Sequence, residues 1–177
     1  MITSAEYNEH GSIVAVIDGA EMSVPDDMAN RHRAMLAEWE AGGNTIEPYS
    51  PPPPSAADVD AERDRRIAGG FSFGGVVYQT RGEDRENIAG AATAALAAIM
   101  NGAQAGDLRW HGGDTDFVWI AADNSIHTMD APTMFAFGQA AMEHKQNHIF
   151  AARALKDSES IIADYADDQY WPTAITA

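Results

Sequence analysis

Four consecutive prolines, Pro51–Pro54, divide the chain. A proline run continues neither a helix nor a central strand, because each residue lacks a backbone N–H and holds φ near −65°. It favours a stiff, solvated polyproline II segment about 12 Å long. A domain boundary is therefore expected here. Residues 50–57 read as a spacer in preference to a ligand for an aromatic groove.

The segment before the prolines reads as a β-hairpin plus a helix. "SIVAVI" and "AEMSV" flank Asp18-Gly19, a dipeptide that tolerates the positive φ angles of a type I′ turn. Met28, His32, Met35, Leu36 and Trp39 then recur at helical spacing, with Asp26 or Asp27 as the expected cap and Gly42-Gly43-Asn44 as the stop. Such a unit, residues 1–49, buries little surface and is expected to lean on a partner or on copies of itself.

After the spacer, Ser55 and Asp58 form a capping-box pattern for a helix running to about Ile67. "FSF" and "VVYQ" read as a second hairpin around Gly74-Gly75. A helix from about Glu83 to Met100 follows, with Ile88, Ala91, Ala92, Ala95, Leu96 and Ile99 as its inner stripe. The stretch "LRWHGGDTDFVWIAADNSIHTMD" reads as two or three short strands turning at Gly112-Gly113 and Asp123-Asn124. Asp130 and Pro132 open a last helix to about Lys156, with Met134, Phe137, Ala141, Met142, Ile149 and Ala152 facing inward. Residues 158–177 carry acids without bases, yet also Tyr165, Tyr170 and Trp171, which disordered tails usually lack. That tail either docks on a partner or packs back on its own domain. The expected fold class is α+β: a small hairpin-plus-helix unit, a proline linker, and a larger helix-rich domain with short antiparallel hairpins.

Composition narrows the chemistry. With 27 acids against 11 bases, the net charge is −16, which opposes general nucleic-acid binding. Cysteine is absent, so disulfides and Cys-ligated zinc are excluded. The N-terminal "MITSAEYNEHG" lacks the pattern of a signal peptide, and the Ala-rich run Ile88–Met100 is too short to span a bilayer. A soluble protein, used without secretion or membrane insertion, is the expectation.

The glycine pairs invite a phosphate-loop reading. A P-loop needs a Gly-Lys-Ser/Thr ending, and a dinucleotide fingerprint needs a glycine loop that opens a helix. Here Val76, Val77 and Tyr78 follow Gly75, and the next helix begins with Glu83, Asp84 and Glu86, which repel phosphate. The glycines read as turn residues. His144 and His148 stand at zinc-binding spacing, but Lys145 replaces the glutamate a metalloprotease requires, and both read as exposed helix histidines. Asp114, Asp116, Asp123, Asn124 and Asp130 lack the calcium-loop order and read as turn and cap residues. No carboxylate pair or nucleophile signature stands out. Trp110, Trp119, Phe71, Phe73 and Tyr78 suit a core better than a sugar platform. The expectation is a non-enzymatic chain with no catalytic residue, cofactor or metal.

Two stretches carry a resemblance. From Arg63, the order Ile67, Gly70-Phe71, Phe73, Gly75, then Tyr78-Gln79-Thr80, Asn87-Ile88, Trp110 and Asp123-Asn124 resembles a domain of unknown function encoded in tailed bacteriophages and prophages, among tail and tail-fibre genes. The likeness covers about Asp58 to Asp157. A second stretch, Val24 to Tyr49, is similar to a short module of tail-fibre and tail-fibre-assembly proteins, through Asn30-Arg31, Trp39, Gly43-Asn44-Thr45 and Pro48. Taken with the reading of the residues, the resemblance gives four segments: an attachment module at 1–49, the linker at 50–57, the phage domain at 58–157 and an acidic aromatic tail at 158–177 that lies outside the likeness. It implies a structural or accessory component of a phage particle, assembled in the host cytoplasm and retained in the virion. Its partners would be other tail or tail-fibre proteins and, in a symmetric assembly, copies of itself. The alternatives are an assembly chaperone that leaves the particle, a host-surface glycan-binding or hydrolytic module, and a head decoration protein.

Overall fold

A computed structural model describes residues 1–173 and divides the chain into two compact units, Met1–Pro52 and Pro53–Ala177. The class is α+β, with four helices and short antiparallel strand pairs.

In the first unit, β1 (Ile2–Tyr7), β2 (Ile13–Ile17) and β3 (Ala20–Val24) form an antiparallel sheet in that order. The β2–β3 turn is at Asp18-Gly19, both at positive φ (51° and 81°), as the type I′ reading requires. Strand β1 adds an element to the expected hairpin. Its sequence ITSAEY offers one buried residue, Ala5, so its alternation is hidden by Thr3, Ser4 and Glu6. Residues 45–48 run beside β1 through Tyr7 N–H to Glu47 O (2.8 Å) and Glu47 N–H to Ala5 O (2.9 Å), which buries Ile46.

Helix α1 (Arg31–Ala41) starts later than expected. Its cap is Asn30, whose side chain accepts from the His32 and Arg33 N–H groups. Asp27 instead closes the preceding turn by accepting from Ala29 N–H, and Asp26 pairs with Arg33 at 2.5 Å. Met28 therefore precedes the helix and is exposed, as is Met35. Leu36 is buried and Trp39 half-buried against Ile13, Ala15, Ile17 and Val24.

The second unit is organised by two antiparallel helices, α3 (Gly82–Met100) and α4 (Ala131–Lys156). Each begins as its sequence reads. Asp84 accepts from Arg81 N–H at 2.9 Å, and Asp130 accepts from Thr133 N–H at 2.8 Å, with Pro132 in the first turn. Helix α2 (Ala56–Ala68), closed by the Ser55–Asp58 capping box, packs on the C-terminal half of α4. Hairpin β4 (Phe71–Phe73)–β5 (Val76–Tyr78) turns at Gly74-Gly75 with both φ angles positive. A second hairpin, β6 (Val118–Ile120)–β7 (Ile126–Thr128), turns at Asp123-Asn124, with Asn124 at φ 66°. Ala122 N–H donates to Val77 O at 2.8 Å, tying the two hairpins together.

The inner stripes are narrower than the periodicity suggests. On α3, Ile88 and Ala95 are buried, whereas Leu96 is exposed. On α4, Met134, Phe137, Ala141 and Ala152 are buried, whereas Met142 and Ile149 are exposed. The cause is close helix packing. A Cβ at Gly138 would stand 2.4 Å from the Ala92 Cβ, so α4 lies nearly on the α3 backbone and the bulkier side chains flank the seam.

That contact gives a direct test. Gly138→Ala should cost about 1–2 kcal/mol by overpacking, even though alanine favours a helix interior. Adding Ala92→Gly should restore the space, so urea denaturation of the four proteins should give a coupling of about 1 kcal/mol between the two positions.

Candidate functional site

The resemblance residues of the second unit assemble into its core rather than around a cavity. Phe71, Tyr78 and Ile88 are buried together, with Phe73 and Trp110 half-buried against them. Phe137 is the hub of the rings, at 5.1 Å from Phe71, 4.7 Å from Tyr78 and 5.6 Å from Trp119. Trp110 Nε1–H donates to Met129 O at 2.9 Å, which fixes the loop before β6. Both tryptophans thus pack against the core, as their sequence context suggests. Gly75 and Asn124 are turn residues, and Asp123 accepts from the Ser125 N–H and hydroxyl. Gln79 accepts from Arg81, whereas Asn87 stands apart on the exposed face of α3. In the first unit, Asn30 caps α1, and Asn44 donates to Trp39 O beside Gly43 at φ 94°. Arg31, Thr45 and Pro48 are exposed.

His144 and His148 depart from expectation. Both are buried, because α2 and the segment after α4 cover this face of α4. The rings form a ladder: Phe71 lies 6.0 Å from His144, His144 4.5 Å from His148, and His148 6.2 Å from Trp171. His148 Nδ1 lies 2.8 Å from His144 O. A carbonyl only accepts, so Nδ1 carries the proton. Among the described residues, His144 Nε2 is buried with no hydrogen-bond partner.

Trp171 closes the ladder. It is buried with Val59, Ala152 and Leu155, its Nε1–H donates to Tyr165 O at 2.8 Å, and the Arg66 guanidinium sits 5.1 Å from its ring centre. Arg66 also binds Ala166 O (2.7 Å) and Asp168 (2.8 Å). The tail therefore packs back on its own unit as far as Trp171. Residues 174–177 lie outside the described residues.

Two surface features accompany this core. An apolar groove of about 370 Å³ runs between α3 and α4, lined by Ala89, Ala92, Leu96, Phe135, Gly138 and Met142. A separate cleft of about 610 Å³ lies where α2, the start of α3 and α4 meet. Its lining includes Arg63, Arg81, Arg85 and Lys145, together with the apolar Ile67, Ala68 and Ile149. The sequence conceals this cleft, because its four cations come from three helices. Among the described residues, no group of three or more His, Asp or Glu could share a metal ion, and no helix is long and apolar enough to cross a membrane.

The second unit is thus an α+β domain built on one helix pair with two small hairpins. Residues 53–170 match the family model described as Domain of unknown function (DUF4376), and the chain belongs to that family. The match begins within the proline run and takes in most of the segment after α4. No curated protein and no solved structure shows a significant match to the chain.

The buried His144 makes the domain acid-sensitive. Burial, followed by the neighbouring His148, holds the His144 imidazole below its ordinary pKa; the Ile67 and Arg66 carbonyls oppose this and Arg85 adds to it. The unfolded chain therefore takes up this proton at about pH 6.5 while the folded chain does not. The stability that rests on neutral His144 is fully present above that pH and is lost as the pH drops below it. Paired carboxylates such as Glu62, held low by hydrogen bonds from Arg65 and then Arg66, lose their contribution only at lower pH. Thermal melts at about pH 7.5 and pH 5.5 should show a drop in Tm that His144→Leu makes smaller.

Proposed function

We propose that the chain is a non-enzymatic structural or accessory component of a tailed-phage particle, at the tail or tail fibre, acting through protein–protein contacts. The observation that carries this reading is how much large apolar surface stays exposed on the second unit. Leu96 and Met142 flank the α3–α4 groove, Ile149 and Phe150 follow on α4, and Val118, Ile120 and Ile126 stand out from the β6–β7 hairpin. Exposed apolar clusters of this kind suit partner proteins, and methionine adapts well to such surfaces. The likeness of both units to segments of tail-gene products supplies the particle context. In this reading, residues 1–49 attach the chain and the family domain presents the apolar surface to tail partners or further copies.

The glycan-binding alternative needs free aromatic faces, and the rings of Trp110 and Trp119 are instead used in the core. The chaperone alternative requires the same surfaces but a different fate. Quantitative mass spectrometry of gradient-purified particles beside crude lysate separates the two. A fixed copy number per particle, comparable to that of known tail proteins, is the expected result. Abundance in lysate with absence from particles would overturn the virion assignment.

A further inference from the structure

The cations of the second unit are unevenly paired. Seven of its nine arginine and lysine side chains meet a carboxylate within 4.0 Å among the described residues: Arg63, Arg65, Arg66, Arg81, Arg109, Arg153 and Lys156. The two that do not are Arg85 and Lys145, and both line the cleft between α2, α3 and α4. In a chain of net charge −16, cations without a carboxylate stand out; Arg31 is such a cation in the first unit, and the second unit places both of its own in one cavity. Arg63 and Arg81 line the same cleft from either side, each paired with a carboxylate of its own helix or cap. Asp64 is the one acid among the lining residues, and it is engaged by Arg63 at 2.8 Å.

The unpaired arginine is held in place. Arg85 donates to Thr80 O, and the Thr80 hydroxyl donates to Ile67 O at 2.6 Å, which links α3 to the end of α2 through a residue that follows the β4–β5 hairpin. Arg85 is half-buried and Lys145 exposed at the rim. Two cations without a carboxylate within 4.0 Å, in a cleft that Ile67, Ala68 and Ile149 also line, match a small dianion with an apolar body. A cleft of about 610 Å³ is the size of a small-ligand site and larger than an inorganic ion needs. The overall negative field disfavours an extended polyanion such as nucleic acid.

We propose that this cleft binds a small phosphate monoester. Arg85 and Lys145 hold the phosphate, Arg63 and Arg81 add to the local potential, and Ile67, Ala68 and Ile149 receive the organic group. Guanidinium and ammonium groups form charge-assisted hydrogen bonds to phosphate oxygens, and the phosphate's charge at neutral pH offsets both unpaired cations. The phosphate-binding feature is thus a gathering of cations from three helices; the Gly74-Gly75 hairpin takes no part. The proposal stands apart from the particle assignment.

The test is calorimetric titration of the full chain at constant ionic strength with inorganic phosphate, phenyl phosphate and, as a control, sodium chloride. The expected result is saturable one-site binding of both phosphates, tighter for phenyl phosphate, and none for chloride. Lys145→Gln, at an exposed position, should weaken binding about tenfold or more with the thermal melt unchanged. Arg85→Gln should weaken binding by a similar factor and also lower Tm, because it removes the donor to Thr80 O. Arg153→Gln, which removes an exposed arginine outside the cleft, should leave binding intact. Absence of saturable binding, equal affinity for phenyl phosphate and inorganic phosphate, or equal weakening by Arg153→Gln would overturn the proposal.

Discussion

The second unit depends on the close approach of α3 and α4 at Gly138 and Ala92. There is no room for a Cβ at Gly138. Alanines dominate the α3 side of the seam: Ala95 is in the buried cluster, and Ala91, Ala92 and Ala98 pack half-buried against it. Small residues lose little side-chain entropy on burial, and they let helix backbones approach until dispersion contacts become dense. The other elements attach to this pair. Hairpin β4–β5 sets Phe71 and Tyr78 on Phe137, hairpin β6–β7 hangs from β5 through one backbone bond, and α2 with the tail covers the far half of α4. One 26-residue helix therefore serves two cores, an aromatic one near its start and the His148–Trp171 cluster near its end.

The same close packing shapes the surface. Once the seam is built from small residues, the larger apolar side chains of the helices have no interior to occupy. Leu96, Met142, Ile149 and Phe150 are left outside, where they flank the groove or extend it. Charge follows a comparable rule. An excess of carboxylates pairs most of the cations among the described residues, and Arg85 is turned instead to the Thr80 carbonyl. The packing that stabilises the domain thus sets out the surfaces on which the functional proposals rest.

Much of this architecture was legible in the residues, and the reasons are local. Caps and turns act within four residues, so Ser55–Asp58, Asp130–Pro132, Asp18-Gly19 and Gly74-Gly75 each declare their geometry. The start of α1 misled, because Asp26, Asp27 and Asn30 are all competent caps and the tertiary pairing of Asp26 with Arg33 decides among them. Strand β1 was hidden by its exposed polar face. The burial of His144 and His148 was not readable, since their cover comes from α2 and a tail distant in sequence. The cleft was invisible for the same reason: Arg63, Arg81, Arg85 and Lys145 form no local motif. Long-range packing on α4 accounts for each of these gaps in the second unit.

The central claim is that the α3–α4 seam carries the stability of the family domain and that the remaining elements depend on it. Native-state hydrogen exchange of the full chain tests this most directly, by measuring the opening free energy of each amide. The account predicts that amides of Ile88–Ile99 and Met134–His144 exchange slowest and share one free energy, that of global unfolding, while the hairpins and the segment at Tyr165–Trp171 open at lower cost. Exchange of the α3 amides well before those of α2, or two separate free energies for α3 and α4, would contradict it.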